Sequence, residues 1–528
     1  MKNLKLKKGL VALTSAALVA AFAVAIPSAA RAADAPTCTT VNEVETCTGT
    51  DDNGAKFEIR MPAKFNGTLF VYSHGIRYGV ALPANPLAGT PAVPINYAPE
   101  VAPSPAVATA LLAQGFALAG SGVEVQGWNL EESTYAAIRV LDIAQNKYPK
   151  VDKIVTWGNS LGGLASQALA EQYPDVVDAA APMCIAESAQ AEITMAGDFL
   201  WGMKVLFNPS IKGTGYSSGT AGYIEMLGDL GQVRATLTEI KTAIGVNPLR
   251  PTWPTTSTVP DALKAIPVRA AVMLLGLVSG ISTSSNTFDG VAGPAGASET
   301  TFGAALSPAL AVLENGADAA GLAVLANYDM ELRAGGVVYD NSTTNFSTRL
   351  GTAGTTYAAA LSGLDSARGI LGYLALMPRV KSDSAAVARL NSMYQLQGKI
   401  TVPTVVISTT GDHITPPGAA QYLINQYNAS VTKKAAKSGS LAVIWNKPPN
   451  EYTKFDKNGS YITPTVPTNG VGHCNYTTAQ VMTVAKIAAT AAKTGKLPSS
   501  TAIKTAIKSD ENLFVNPNYK PDLLKFRQ

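Results

Sequence analysis

Lys153-Ile154-Val155-Thr156-Trp157, then Gly158-Asn159-Ser160-Leu161-Gly162-Gly163, then a helical run from Leu164 to Gln172: this stretch decides how the chain is read. An apolar, β-prone run enters a Gly-x-Ser-x-Gly turn and leaves as a helix beginning near Leu161, which predicts a sharp strand-to-helix turn with Ser160 at its apex. Glycines are needed on either side because larger side chains would collide with the neighbouring strand and helix. The helix that follows aims its first N–H groups and its dipole at the apex, where a negative charge would be stabilised. In a chain with 46 glycines the motif alone arises by chance; its place between strand and helix makes it informative.

Outward from this turn, strand-like and helical runs alternate. Thr68 to Ser73 reads as a strand ending at His74-Gly75, Ala106 to Gln114 as a helix, and Phe116 to Gly120 as a strand. Leu130 to Lys147 reads as a helix, and Val176 to Met183 as the strand after the turn helix. This rhythm predicts a mostly parallel sheet with helices on both faces. It stops after Glu187 for about two hundred residues of Ala, Gly, Ser, Thr and Leu with helical periodicity, expected to form a large, mainly helical cap. Within that block Ala270 to Ile281 is expected to be a buried cap helix, and residues 283 to 300 a loop. The rhythm resumes with a strand at Ile400 to Ser408, a helix at Pro417 to Gln426, a strand at Leu441 to Trp445 and a last helix at Thr477 to Thr494. The expected organisation is residues 1–32 as a signal peptide, 33–187 and 396–528 as two parts of one core, and 188–395 as the cap. The tail from Ser509 is expected to pack on the core surface.

A serine hydroxyl needs a base to attack a carbonyl near neutral pH, and the chain offers three histidines. His473, in Gly470-Val471-Gly472-His473-Cys474, follows the last expected strand and is the candidate base. Asp412, in Thr410-Gly411-Asp412-His413, follows the strand ending at Ser408 and is the candidate carboxylate that orients it. Glu187 and Asp456 are rivals for that role. His74 is expected to shape a loop, and the peptide N–H groups of Ile76 and Leu161 are the candidate donors to an oxyanion. His413 is expected to be a packed loop residue.

The N-terminus places Lys2, Lys5, Lys7 and Lys8 before an apolar run from Leu10 to Ile26 and ends in Ala30-Arg31-Ala32, the order of a secretory signal peptide. Its removal takes away five positive charges and leaves a formal net charge of −1. That balance gives no electrostatic reason for nucleic-acid binding. No later stretch is expected to be long enough to span a bilayer, and no stable membrane anchor is expected after processing. Four cysteines in an exported chain fit two disulfides, with Cys38 and Cys47 closing a short loop and Cys184 left to pair with Cys474. No Cys-x-x-Cys spacing suggests a metal site, and no metal or organic cofactor is expected.

Together the Ser160 turn, the His74-Gly75 loop, the Gly411-Asp412 turn and the Gly472-His473 loop resemble the α/β-hydrolase superfamily over about residues 60–187 and 396–500. The superfamily contains esterases, lipases, peptidases and acyltransferases. The resemblance implies a serine hydrolase with Ser160 as nucleophile, His473 as base and Asp412 as acid. His473-Cys474 is also similar to tannases and feruloyl esterases, in which the cysteine after the histidine is bonded to one immediately before the serine. Here Asn159 precedes Ser160, so that bond cannot form, and Cys184 is the expected partner of Cys474, with two free buried thiols as the alternative.

The expected activity is hydrolysis of a small-molecule or polymeric carboxylic ester by a secreted or cell-envelope protein. Phe199, Trp201 and Phe207 are candidates for lining an acyl or aryl pocket, with ordinary cap packing as the alternative for each. An exported exopeptidase would need acidic side chains in the cap to hold a substrate ammonium, for which Glu314 with Asp318 and Asp329 with Glu331 are candidates. A non-catalytic binding protein on the same fold is the third expectation.

Overall fold

The computed structural model describes residues 35–84, 91–293, 302–449, 451–456, 458–462 and 464–528. The expected signal peptide and residues 294–300 of the expected cap loop lie outside these.

Six of the strands run parallel and side by side. They are β4 (Thr68–Ser73), β5 (Ala117–Ser121), β6 (Lys153–Asn159), β7 (Ala179–Met183), β8 (Thr404–Thr409) and β9 (Leu441–Asn446), in the spatial order β5-β4-β6-β7-β8-β9. The central strands are apolar on both faces because both are covered. Leu69 and Val71 of β4 pack toward the helices Leu130–Lys147 and Leu161–Gln172, while Phe70 and Tyr72 pack toward Pro105–Leu112 and Thr478–Thr494. The architecture is the α/β sheet with helices on both faces that the sequence predicts.

The sheet is wider than the sequence reading. Three antiparallel strands, β1 (Thr37–Val41), β2 (Val44–Thr50) and β3 (Lys56–Pro62), extend it beyond β5. At the other edge β12 (Leu513–Phe514) pairs antiparallel with β9, so part of the tail enters the sheet. Between them β10 (Lys454–Phe455) and β11 (Tyr461–Ile462) form a separate hairpin. A helix at Ser500–Ile507 follows the one expected to be last. Boundaries move for local reasons. β7 starts at Ala179 because the Val176 and Val177 N–H groups turn back to the Tyr173 carbonyl, and β8 starts just after Pro403, which has no N–H to give the ladder.

Between β7 and β8 the described chain adds no strand to the sheet. It runs through helices that include Ala189–Leu206, Gly219–Val246, Val268–Ser279 and Phe302–Ala334, whose apolar faces share one cluster. Every residue of Val268–Ser279 is buried, the expected buried cap helix. Phe302–Ala334 corrects one expectation. Its 33 residues are long enough to cross a bilayer, with a mean hydropathy of 1.4 over its most apolar window. That window is 61% buried, against the three helices just named, which accounts for its apolar character as core packing.

Candidate active site

Ser160 stands between β6 and the helix Leu161–Gln172 with φ 58° and ψ −123°, a conformation that costs a non-glycine residue free energy and is kept where the surroundings enforce it. The surroundings are close. A Cβ on Gly158 or Gly162 would collide with the Ser73 carbonyl at the end of β4, and one on Gly163 would meet the Met183 carbonyl at 2.7 Å. The Ser160 N–H donates to the Met183 carbonyl (3.0 Å), fixing the turn against β7. From β4 the chain passes through His74 and Gly75, whose Cα lies so near that a Cβ there would be 3.5 Å from Cβ of Ser160. His74 is buried and its Nδ1 donates to the Gly75 carbonyl (2.7 Å); burial, then the nearby Arg77, push its pKa down to about 4, so it is a neutral loop-shaping residue near neutral pH.

β8 ends three residues before Asp412, and the loop preceding the helix Thr478–Thr494 carries His473. The two side chains meet: His473 Nδ1 lies 2.9 Å from Oδ1 and 3.1 Å from Oδ2 of Asp412. Asp412 is 1% exposed and also accepts from the Ile414, Thr415 and Cys474 N–H groups, at 2.9, 3.0 and 2.9 Å. Burial alone would raise its pKa; His473 and the Cys474 N–H outweigh it and hold the carboxyl below its ordinary value, ionised near neutral pH. Cys474 is bonded to Cys184, which follows β7, and Cys38 to Cys47, so the paired-cysteine expectation is met and the free-thiol alternative is not. Ser160, Cys184 and Cys474 all have positive φ, which marks these turns as held by their context. The fold is an α/β-hydrolase fold.

No family model matches the chain, and no curated protein matches it in sequence. Among solved structures it is similar to an esterase from Aspergillus oryzae (11% identity, TM-score 0.34, 76% of this chain and 71% of that one). It is also similar to feruloyl esterase B from Aspergillus oryzae (13%, TM-score 0.30, 76% and 72%) and to Candida antarctica lipase A in its closed state (12%, TM-score 0.31, 80% and 77%).

Two adjoining spaces meet at these residues. A narrow cavity of about 50 Å³ is lined by Ser160, Leu161 and Ile76 together with apolar side chains of the helices Ala189–Leu206 and Phe302–Ala334, among them Ile193, Ala323 and Met330. A wide groove of about 1220 Å³ is lined by His473 and by Leu230, Val233 and Leu237 of the helix Gly219–Val246. Ile76, Leu322, His413 and Ile414 line both. The structure therefore joins Asp412 and His473 directly, puts Ser160, Ile76 and Leu161 on one cavity, and ties the His473 loop to the strand beside Ser160 through Cys184. Among the described residues no hydrogen bond joins Ser160 to His473, and His473 Nε2 lies 3.4 Å from Sγ of Cys474.

The rivals are engaged elsewhere. Glu187 pairs with Arg527 (2.8 Å), and Asp456 accepts from the Asn458 and Ser460 N–H groups. Phe199, Trp201 and Phe207 are buried in the cap core and line neither space, because their helix turns them toward the neighbouring cap helices; Trp201 stacks on Phe346. The acidic candidates for an ammonium site also have partners. Glu314 accepts from Ser285 and Thr287, Asp318 contacts His413 (3.2 Å), Asp329 holds the Trp128 N–H and Arg333, and Glu331 accepts from the Gly215 and Tyr216 N–H groups.

The carboxyl that does reach the cavity is Glu192, which the sequence reading did not single out. Oε1 accepts from the Glu187 N–H (2.9 Å). Burial, then the carboxylates of Glu187 and Asp412, push its pKa up to about 8. A raised carboxyl pKa means the native state keeps a proton that the unfolded chain gives up, so the stability it contributes is complete below the ordinary value of 4.5 and is lost as pH rises to about 8. Glu192→Gln removes this loss. Between pH 5 and pH 9 the variant is expected to lose less Tm than the parent, by about 2 °C or more. Parallel Tm–pH curves for the two proteins would contradict the assignment.

Proposed function

We propose that the protein is an exported serine hydrolase that cleaves carboxylic esters, with Ser160, His473 and Asp412 as its triad. The observation that carries this reading is the buried Asp412 beyond β8, bonded to Nδ1 of His473, with the strained Ser160 turn beyond β6 of the same sheet and Cys184 beyond the intervening β7 bonded to Cys474.

Asp412 fixes the Nδ1–H tautomer of His473, leaving Nε2 free to take a proton. With substrate bound, Oγ of Ser160 attacks the ester carbonyl carbon as its proton passes to Nε2. The negative oxygen is met by the Ile76 and Leu161 N–H groups, both on the cavity wall. His473 then returns the proton to the departing alcohol, the acyl group stays on Ser160, and a water attacks it with its proton going to His473. Release of the acid and return of that proton restore Ser160. The leaving alcohol is protonated by His473, so it lies in the wide groove, and the acyl group lies in the narrow cavity with Ser160. The two disulfides and the N-terminal sequence favour an oxidising destination outside the cytosol.

Comparing p-nitrophenyl esters with aminoacyl p-nitroanilides tests this reading. Esters of short acids are expected to be cleaved at least about a hundred-fold faster, as none of Glu314, Asp318, Asp329 and Glu331 lines the narrow cavity with Ser160, although Glu314 and Asp318 line the wide groove. Faster cleavage of the anilides would point to an exopeptidase, and no cleavage of either to a binding protein.

A further inference from the structure

The space on the Ser160 side and the space on the His473 side differ greatly in size, about 50 Å³ against about 1220 Å³. The narrow cavity has room for roughly three or four water-sized groups. Its walls are packed core: Ile193 and Met330, on different cap helices, are each 1% exposed and share a cluster with side chains of the sheet, so it cannot widen cheaply. The wide groove is long as well as large. On the helix Phe302–Ala334 its lining residues recur at helical spacing from Leu310 to Leu325, a stripe of about 22 Å at about 1.5 Å per residue. On Gly219–Val246 Leu230, Val233 and Leu237 recur in the same way, and the two helices pack together, so both stripes line one groove. The volume exceeds the roughly 300–1,000 Å³ of ordinary small-molecule sites. Its charged members face water or are engaged: Arg234 and Lys241 are exposed, Glu314 accepts from Ser285 and Thr287, and Asp318 contacts His413.

Resting on the ester-hydrolase reading above, we propose that the substrates are esters of a short acid with a long-chain apolar alcohol. The acyl group fills the narrow cavity, and the alkyl chain of the alcohol lies along the leucine stripes of the wide groove, on the side where His473 protonates the leaving oxygen. Water adds across the ester bond, and the products are the short acid and the free long-chain alcohol. A long apolar wall rewards an alkyl chain, since each methylene taken out of water gains about fourfold in binding. The same chain on the acyl side would have to enter a cavity with room for only a few atoms.

The test uses two isomers, octyl acetate and ethyl octanoate, which have the same atoms and the same apolar content and differ in which side of the ester carries the chain. kcat/KM of the full chain is measured for both, and for ethyl acetate, below their solubility limits, with p-nitrophenyl acetate as a check on the serine hydrolase itself. Octyl acetate is expected to exceed each of the other two alkyl esters by about tenfold or more. In Leu230→Gln, at a half-buried position of the groove wall, its advantage over ethyl acetate is expected to fall by about threefold or more. The ratios in the unmodified protein decide the matter even if the variant fails to fold. A smaller advantage than tenfold over either ester, faster cleavage of ethyl octanoate, or an unchanged advantage in the folded variant overturns the proposal, while cleavage of p-nitrophenyl acetate leaves the serine hydrolase standing. Failure to cleave any of the four esters overturns both.

Discussion

Ser160→Ala is expected to lower ester turnover by about 10⁴-fold or more while leaving the thermal unfolding of the protein close to that of the parent. The side-chain oxygen is the atom that bonds the acyl group, and alanine has none. The turn is held by the close approach of Gly158 and Gly162 to the Ser73 carbonyl and by the Ser160 N–H to the Met183 carbonyl, none of which uses the hydroxyl. Among the described residues the hydroxyl makes no hydrogen bond whose loss would unfold the chain. Turnover of a p-nitrophenyl ester and calorimetry on the same sample check both halves. Retained turnover by the purified variant would remove Ser160 from the mechanism.

The second large effect concerns the bond from Cys184 to Cys474. These residues are 290 positions apart, and the bond fastens the loop that carries His473 to the end of β7, beside the Ser160 turn. A cross-link closing so long a loop stabilises by about 3–5 kcal/mol, mainly through the unfolded state. It also limits how far His473 can drift, and misplacing a catalytic group by about 1 Å costs on the order of 10²-fold in rate. The double variant Cys184→Ser with Cys474→Ser is therefore expected to unfold at lower temperature and to show kcat reduced about tenfold or more at a temperature where it is still folded. A variant that loses Tm but keeps the parent kcat would show that Asp412 and its backbone donors hold the base loop unaided.

Much of the fold is legible in the sequence because the central strands are buried on both faces. Thr68–Ser73 and Thr404–Thr409 are unbroken apolar or β-prone runs, and the punctuation between them includes glycine and proline. The edges are not legible in this way. In β1 to β3, Phe57 and Ile59 are buried while Lys56 is exposed and Glu58 and Arg60 are only partly covered. Such short alternating runs carry little signal until a partner strand defines them. Ser160 and Asp412 stand out by their place just after strands and His473 by its glycine-rich loop before the last expected helix, and the structure brings Asp412 and His473 into contact. The cavity was not legible. Glu192, Ala323 and Thr415 lie far apart in sequence on two cap helices and a core loop, and only their packing makes them neighbours. Phe199, Trp201 and Phe207 mislead for the same reason: size and apolarity do not say which side of a helix faces the substrate and which the cap core.

In this mechanism His473 activates Ser160, although among the described residues no hydrogen bond joins them. Rates of covalent labelling by a fluorophosphonate, followed by intact and peptide mass spectrometry on the parent and His473→Ala, test it most directly. A single adduct on the peptide containing Ser160, formed about 10³-fold or more slowly in the variant, is the predicted result. An adduct on another residue, or equal rates in the two proteins, would contradict it.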